Sequence, residues 1–344
     1  MRSSLKQNVV LAFLLVAVFL LPQYSGATWT TEGVDDSRFF ENISRQAITV
    51  DSDGIPHIVY GTDSLYHAYF NGNEWHYETI YDHPASGDGI SFTLDADDYL
   101  HIFFPSRDSG FLYATNKSGA WTVNSVVKSE GDISIGDISI AVDSGGNAHI
   151  SYRETIETVD IDGEHQLTMN LKYATNSSGS WVFKTIDTGK TGWASSIAVD
   201  SSGKIHIAYL YMYIESILKY ATNSSGPWST TTIDNSSYAG SPTISIDSSN
   251  KAHVMYLDAT DGSSRNFVYA NNRTGAWIKE YALTGQTGSA NISGSSLDSS
   301  GKLHFLLMDK GTLKHVTNSS GSWTTELMIN GATDPFSTTG SFSM

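Results

Sequence analysis

Apolar and polar residues alternate along most of this chain, and the alternation returns in the same order about every 50 residues. The clearest stretch is Ser196-Ile197-Ala198-Val199, with a large apolar group at every second position. The same two large positions recur as Ile48 and Val50, Phe92 and Leu94, Ile140 and Val142, and Ile244 and Ile246. Between them stand the small residues Thr49, Thr93, Ala141, Ala198 and Ser245. Period two is the signature of a strand. A face of small residues predicts close approach to a neighbouring sheet, so this strand is expected to be the innermost of its unit.

A turn of the form D-S-x-G follows, as in Asp200-Ser201-Ser202-Gly203. Its aspartate can accept from backbone amides further along, and its glycine supplies a positive φ. Asp98 and Asn250 replace that glycine in two copies, and both residue types tolerate the left-handed region. The second strand reads H-I-x-Y. The third reads L-K-Y-A-T-N, as at Leu171 to Asn176 and Leu218 to Asn223. An N-S-S-G turn leads to a fourth strand that opens on tryptophan: Trp75, Trp121, Trp181, Trp228, Trp277 and Trp323. No stretch keeps a helical period. Four short antiparallel strands repeated radially predict an all-β fold, a β-propeller of four-stranded blades.

The central strands occur in six copies, which favours six blades. The ends leave an alternative. Trp29-Thr30-Thr31-Glu32 resembles a fourth strand with no blade before it, and Thr339-Gly340-Ser341-Phe342 a first strand with none after it. A seventh blade stitched from both termini, or a longer array, would explain them.

Residues 1–27 stand apart from the repeats. Arg2 and Lys6 precede an apolar run from Val9 to Leu21, and Ser25-Gly26-Ala27 offers a small-residue cleavage site. This is the pattern of a secretory signal peptide, with 28–344 as a single propeller domain. The run is short for a membrane span. The expected location is secreted or cell surface, with no membrane insertion after signal removal. Loss of Arg2 and Lys6 takes the net charge from −16 to −18. So acidic a surface argues against nucleic acid or anionic lipid as partner. There are no cysteines, which excludes disulfides, thiolate metal sites and cysteine nucleophiles. Stability must come from a large core, which about 315 mature residues can supply.

The repeats resemble those of extracellular, sialidase-like propellers with BNR or Asp-box repeats, across essentially the whole mature chain. The resemblance implies the architecture. It does not carry catalytic residues. The Asp-box pattern S-x-D-x-G-x-x-W has its aromatic where this chain has histidine, and the R-I-P segment of sialidases is absent, Arg45 preceding Gln46-Ala47-Ile48 instead.

The repeat aspartates Asp51, Asp95, Asp143, Asp200, Asp247 and Asp298 are each followed six residues later by His57, His101, His149, His206, His253 and His304. Symmetry-related side chains converge only at the propeller axis. These histidines start the second strand, roughly 4.8 Å further out than the first. Their ring is then too wide for one ion, whose ligands lie near 2 Å. The expected role is structural, a hydrogen bond within the blade to the turn aspartate. The tyrosines Tyr60, Tyr152, Tyr209 and Tyr256 are expected to pack in the core with a polar tip. N-x-S/T sequons occur at Asn42, Asn116, Asn176, Asn223, Asn235, Asn272, Asn291 and Asn318. They make the chain a glycoprotein candidate, although five lie on the repeated N-S-S-G-type turn, where asparagine serves the backbone.

Strand order sorts the loops. The 1–2 and 3–4 loops share one face and are nearly identical in every blade. The 2–3 loops and interblade links share the other face and differ. An asymmetric ligand needs residues that differ, so recognition is expected there. Candidate ligand-binding residues are Arg45, Asp88, Arg107, Asp137, Arg153, Trp193, Tyr211 and Asp258. Carboxylates, arginines, a tryptophan and tyrosines around one channel mouth suit carbohydrate, with Trp193 available to stack on a sugar. In the longer third repeat, Asp160-Ile161-Asp162-Gly163-Glu164 matches part of a calcium loop, lacking its third acidic position and distal glutamate. The cofactor expectation is accordingly none, or calcium held by Asp160, Asp162 and Glu164.

Two functions are open at this level. One is a non-catalytic module for glycans or an extracellular or surface protein. The other is a polysaccharide-active enzyme. A glycoside hydrolase would need two carboxylates about 5 to 9.5 Å apart, for which Asp88 and Asp137 are the pair. A lyase would use His83 or a tyrosine as base beside an arginine. A structural envelope role is a third possibility.

Overall fold

The computed structural model describes residues 47–329, apart from 62–63, 84–88, 107–108, 128–132, 236–237, 260–263, 287–289 and 310–311. Every regular element among them is a β-strand, and the strands form six sheets of four. In each sheet the strand order follows the chain order, with antiparallel pairing throughout. The fold is a six-bladed β-propeller, as the six copies of the central strands predict. The segments behind the seventh-blade alternative, and residues 1–27 of the expected signal peptide, lie outside the described residues.

The first strands of successive blades approach one another, so they are the innermost. Their small face makes this possible. Ser91, Ser139 and Ser196 each accept, through Oγ, the backbone amide of Ile140, Ile197 and Ile244 in the next blade, at 3.1, 3.3 and 3.2 Å. An inner strand has an edge with no further strand to pair it, and these serines satisfy its amides.

The core is a set of seams rather than one centre. Phe103, Phe111 and Tyr113 of blade 2 pack on Ile138, Ile140, Ile150 and Tyr152 of blade 3. Equivalent clusters join blades 1 and 2, 3 and 4, 4 and 5, and 5 and 6. In blades 2 to 6 the apolar inner face therefore packs on the neighbouring blade as well as its own, whereas Ile48 packs on Ile58 and Tyr60 within blade 1.

A polar network runs through every blade. His Nε2 donates to the turn aspartate in all six, at 3.0 to 3.4 Å. The predicted histidine–aspartate link is thus present. The structure adds what the motif alone did not indicate. In blades 2 to 5 the imidazole Nδ1 accepts from a tyrosine of the third strand: Tyr113, Tyr173, Tyr220 or Tyr269. The asparagine of the next blade's N-S-S-G turn bonds two of these phenols, Asn176 to Tyr113 and Asn272 to Tyr220. The same asparagines accept the amides of Ala148 and Ala252 at 2.8 Å. Aspartate, imidazole, phenol and amide so form one chain across a seam. The next blade's tryptophan closes over it, as Trp181 does on Tyr113 and Trp277 on Tyr220, with ring centroids 5.3 and 5.0 Å apart. In blades 1 and 6 a second imidazole takes the tyrosine's place. His57 meets His67, and His304 meets His315, each at 2.9 Å.

The turns behave as their residues require. The D-S-x-G glycines have positive φ, 71° at Gly203, and Asp98 and Asn250 adopt 61° and 59° in their place. The turn aspartate accepts two amides, at 2.8 Å from both Ser202 and Lys204 in blade 4. Neighbouring turns are also tied together. Ser52 N donates to Asp98, Lys117 to the Gly145 carbonyl, Ser201 to Asn250 and Arg273 to the Gly301 carbonyl. The uniform face is consumed by scaffold contacts. The sequon asparagines Asn116, Asn176, Asn223, Asn272 and Asn318 each use Oδ1 to cap the second strand, at 2.8 to 2.9 Å.

Removing one link leaves a buried partner unmade, which costs about 1–3 kcal/mol. Tyr220→Phe, which strands the Nδ1 of His206, should lower the melting temperature by that equivalent, and His206→Ala by at least as much. Unchanged melting for both would show the network to be dispensable. A second expectation concerns acid. Burial, opposed by the aspartate hydrogen bond, holds all six imidazoles below their ordinary value of 6.5. The unfolded chain therefore binds these protons more readily, and stability is complete only above that value. The aspartates act further down. Burial raises Asp143, but the side chain and amide of Asn147 together with His149 outweigh it and hold it at about 2. Melting temperature measured against pH should be flat above pH 6.5 and fall progressively below it; a profile flat into the carboxylate range would contradict this.

Candidate functional site

The variable face is shaped by a repeated irregularity. In blades 3, 4 and 5 the first strand carries one extra residue opposite the buried tyrosine of the second strand, Tyr152, Tyr209 or Tyr256. Each bulge holds a non-glycine residue with positive φ: Asp137 at 52°, Ala194 at 48° and Ser241 at 44°. Such conformations cost on the order of 1 kcal/mol or more each and persist only when the surroundings impose them. Here the bulges of blades 3 and 4 hold one another. Ser195 Oγ donates to the Asp137 carbonyl at 2.7 Å and lies 2.9 Å from Ser151 Oγ. Bulges bend a strand and re-aim its side chains. These bring residues from two blades to one point near the channel mouth.

Three of the candidates meet at that point. Arg153 Nε donates to Asp137 Oδ2 at 2.6 Å. Its guanidinium lies over the Trp193 ring, 4.0 Å from the centroid. Another guanidinium nitrogen bonds Thr155. Gly136 is what lets the arginine lie there, because a Cβ at that position would stand 2.9 Å from its Nη2. Arg153 is therefore neutralised, oriented and stacked before any ligand arrives. One face of Trp193 is covered by it, and the ring also packs on the seam between blades 4 and 5.

The remaining candidates are not gathered here. Tyr211 is half-buried on the second strand of blade 4, opposite Thr191 and Ile217. Asp258 is buried at the end of its strand, 5% exposed, and faces Ala239 and Asn266 across the ladder. Arg45, Asp88 and Arg107 lie outside the described residues, so the Asp88–Asp137 pair has only Asp137 described. Asp137 holds Arg153. Asp160, Asp162 and Glu164 form a turn, not a converging shell. Asp160 Oδ1 accepts the amides of Asp162 and Glu164 at 3.0 and 2.9 Å, and Gly163 has φ 83°. This is the repeat's own D-x-x-G turn, used a second time to close a hairpin. Among the described residues no three histidine or carboxylate side chains are grouped to hold a metal.

Sequence reading passed over two features of this face. Asn170, 8% exposed, donates to Glu154 at 3.2 Å, and Lys172 lies 3.4 Å from the same carboxylate. Lys190 lies over the Tyr213 ring at 3.5 Å. Both come from residues distant in sequence, and only the Gly-Lys-Thr-Gly break at 189–192 hinted at a special backbone. The core tyrosines behave as expected: Tyr209 donates to Asp187 of blade 3 at 2.7 Å, and Tyr256 to Asp234 of blade 4. Burial, reinforced by those carboxylates, pushes both phenols well above their ordinary value.

No protein-family model matches the chain, and no curated protein matches it in sequence. Solved structures do. An ulvan lyase of polysaccharide lyase family 25 superposes with a TM-score of 0.59 at 11% identity, over 85% of this chain and 80% of that one. AofleA from Arthrobotrys oligospora gives 0.52 at 16% identity, over 83% and 86%. The Aleuria aurantia lectin, described as a six-bladed β-propeller with a fucose recognition mode, gives 0.52 at 14%, over 86% and 97%. At such identities the likeness shows the fold. These neighbours include a lyase and a lectin, and nothing among them is specific to sialidases or Asp-box proteins.

The stack on Trp193 offers a direct check. Gly136→Ala should displace the guanidinium and change Trp193 emission in a Trp193-sensitive difference spectrum, while melting falls only modestly. An unaltered spectrum would mean that the arginine does not sit on the ring in solution.

Proposed function

We propose that the protein is an exported propeller that binds glycan on its variable face and has no catalytic centre of its own. The observation that carries this reading is the Asp137–Arg153–Trp193 assembly. To act on substrate as a carboxylate catalyst or a charge-neutralising arginine, Asp137 or Arg153 would have to give up its present partner. Here each answers the other, at 2.6 Å, in a rigid arrangement held by two bulged strands. Preorganisation of that kind lowers the ordering cost of recognition. The neighbours support glycan as the ligand class, since lectins of this fold are solved with fucosides and the lyase with a -[GlcA(1-4)Rha3S]- saccharide. Export is supported by the leader-like run from Val9 to Leu21, with Arg2 and Lys6 before it and Ser25-Gly26-Ala27 after it. A surface protein carrying such glycans would be an equally suitable partner.

A polysaccharide-active enzyme is the second reading. Its support is the superposition on a lyase over 85% of this chain. One experiment separates the two. Glycans retained on an array are incubated with the protein and followed for new reducing ends and for the ultraviolet absorbance of unsaturated ends. Retention without either product is the expected outcome. Product formation abolished by an alanine at a residue of the variable face would establish the enzyme instead.

A further inference from the structure

Blade 3 sends a hairpin beyond its neighbours. Its middle strands, Ala148–Val159 and His165–Thr175, have 12 and 11 residues, against 8 and 7 for Ile205–Met212 and Ser216–Thr222 in blade 4. Their pairing runs unbroken from His149↔Thr175 to Val159↔His165. Alternate side chains therefore keep to one face along the whole arm. Arg153 shows where that face looks, because it rests on Trp193 of blade 4. Thr155, Glu157 and Val159 continue the same side, with Leu167 opposite Glu157. Val159 and Leu167 are 58% and 48% exposed, so apolar groups stand in water on the side turned to blade 4.

Blade 4 presents the other wall. Tyr209 reaches Asp187 of blade 3, which fixes the direction of that side of its strand. Tyr211 follows two positions on, and Tyr213 at the strand end is 65% exposed. Its backbone is held: Tyr213 N donates to the Glu215 carbonyl and Met212 N to the Lys190 carbonyl, both at 3.0 Å. Lys190, in the link from blade 3, has φ 64° and sets its ammonium 3.5 Å from the Tyr213 ring centroid.

Lys190 differs from the carboxylate-paired basic residues, although Lys184, Arg265 and Lys314 likewise form no ion pair among the described residues. Arg153, Lys172, Lys219 and Lys279 all pair with carboxylates: Asp137, Glu154, Asp187 and Asp234. Lys190 makes no ion pair with a described carboxylate in a chain of net charge −16. Its partner is an aromatic face, a weak interaction at an exposed site, readily exchanged for an anion.

We propose that the cleft between the blade 3 hairpin and blade 4 binds an anionic saccharide. The pyranose ring lies against Tyr213 and against Val159 and Leu167 of the hairpin, where Glu157 is paired with His165, and Lys190 takes the carboxylate or sulfate. Arg153 sits at the floor with its charge already balanced, so Lys190 supplies the selectivity for charge. This inference rests on the glycan-binding reading.

Calorimetric titration of the intact protein with oligogalacturonates, sulfated galactan oligomers and neutral galactan oligomers tests it. One or both anionic series should bind, with affinity falling as sodium chloride rises; which of them binds distinguishes carboxylate from sulfate. Lys190→Gln should weaken anionic binding about tenfold, the effect of losing a charged hydrogen bond, and flatten the salt dependence. Tyr213→Ala should weaken it about three- to tenfold through lost stacking. Both positions are exposed or half-exposed, and unchanged thermal melting confirms folding. Neutral oligomers binding as tightly as anionic ones, or Lys190→Gln without effect, overturns the cleft proposal and leaves glycan recognition intact. Failure of every saccharide overturns both.

Discussion

Each repeat imidazole is fixed from two sides, by the carboxylate of its own inner turn and by a phenol or second imidazole of the third strand. The rest of the propeller depends on that contact. Blades are joined through faces rather than through a common centre, and an apolar seam alone tolerates sliding. A buried polar chain does not, because every member must keep its partner or lose it at full desolvation cost. Burial also keeps these imidazoles neutral. A neutral ring can donate at Nε2 and accept at Nδ1 together, which is what a bridge between a carboxylate and a phenol requires.

With that framework in place the two ends of the blades diverge. On the uniform face, turn amides, serines, asparagines and basic side chains are bound to one another. Little is left over for a ligand. On the variable face the inner strands are bulged and carry positive φ at Asp137, Ala194 and Ser241. At Asp137 and Ala194 the strain is tolerated because the bulges of blades 3 and 4 brace one another through Ser195. It places an arginine on a tryptophan of the next blade, beside a lengthened hairpin. The function proposed for the protein belongs to those departures from the repeat. The repeat itself supports them.

Much of this was legible in the chain. The alternation at Ile197 and Val199, the small face at Ala198 and the D-S-x-G glycine are local requirements of strands and turns, so they could be read one blade at a time. The histidine–aspartate link was legible for the same reason, since six residues across a tight turn bring the two together in every copy. Tyr220 as the partner of His206 was not, because nothing in L-K-Y-A-T-N tells which of its side chains meets the second strand's histidine until the register His206↔Thr222 is known.

The sequence by itself determined the blade and the division between a constant and a variable face, because each follows from periodicity, turn chemistry and strand order, and it favoured six blades over seven. Only the tertiary structure decided which variable residues act together. Asp137, Arg153 and Trp193 were all plausible as free groups, and the fold balances two of them and covers the third. Lys190 drew no notice in the chain, yet it rests on Tyr213. Such pairings join different blades or distant segments, and their distances are set by bulges and by the angle between neighbouring sheets. Neither leaves a mark in local pattern.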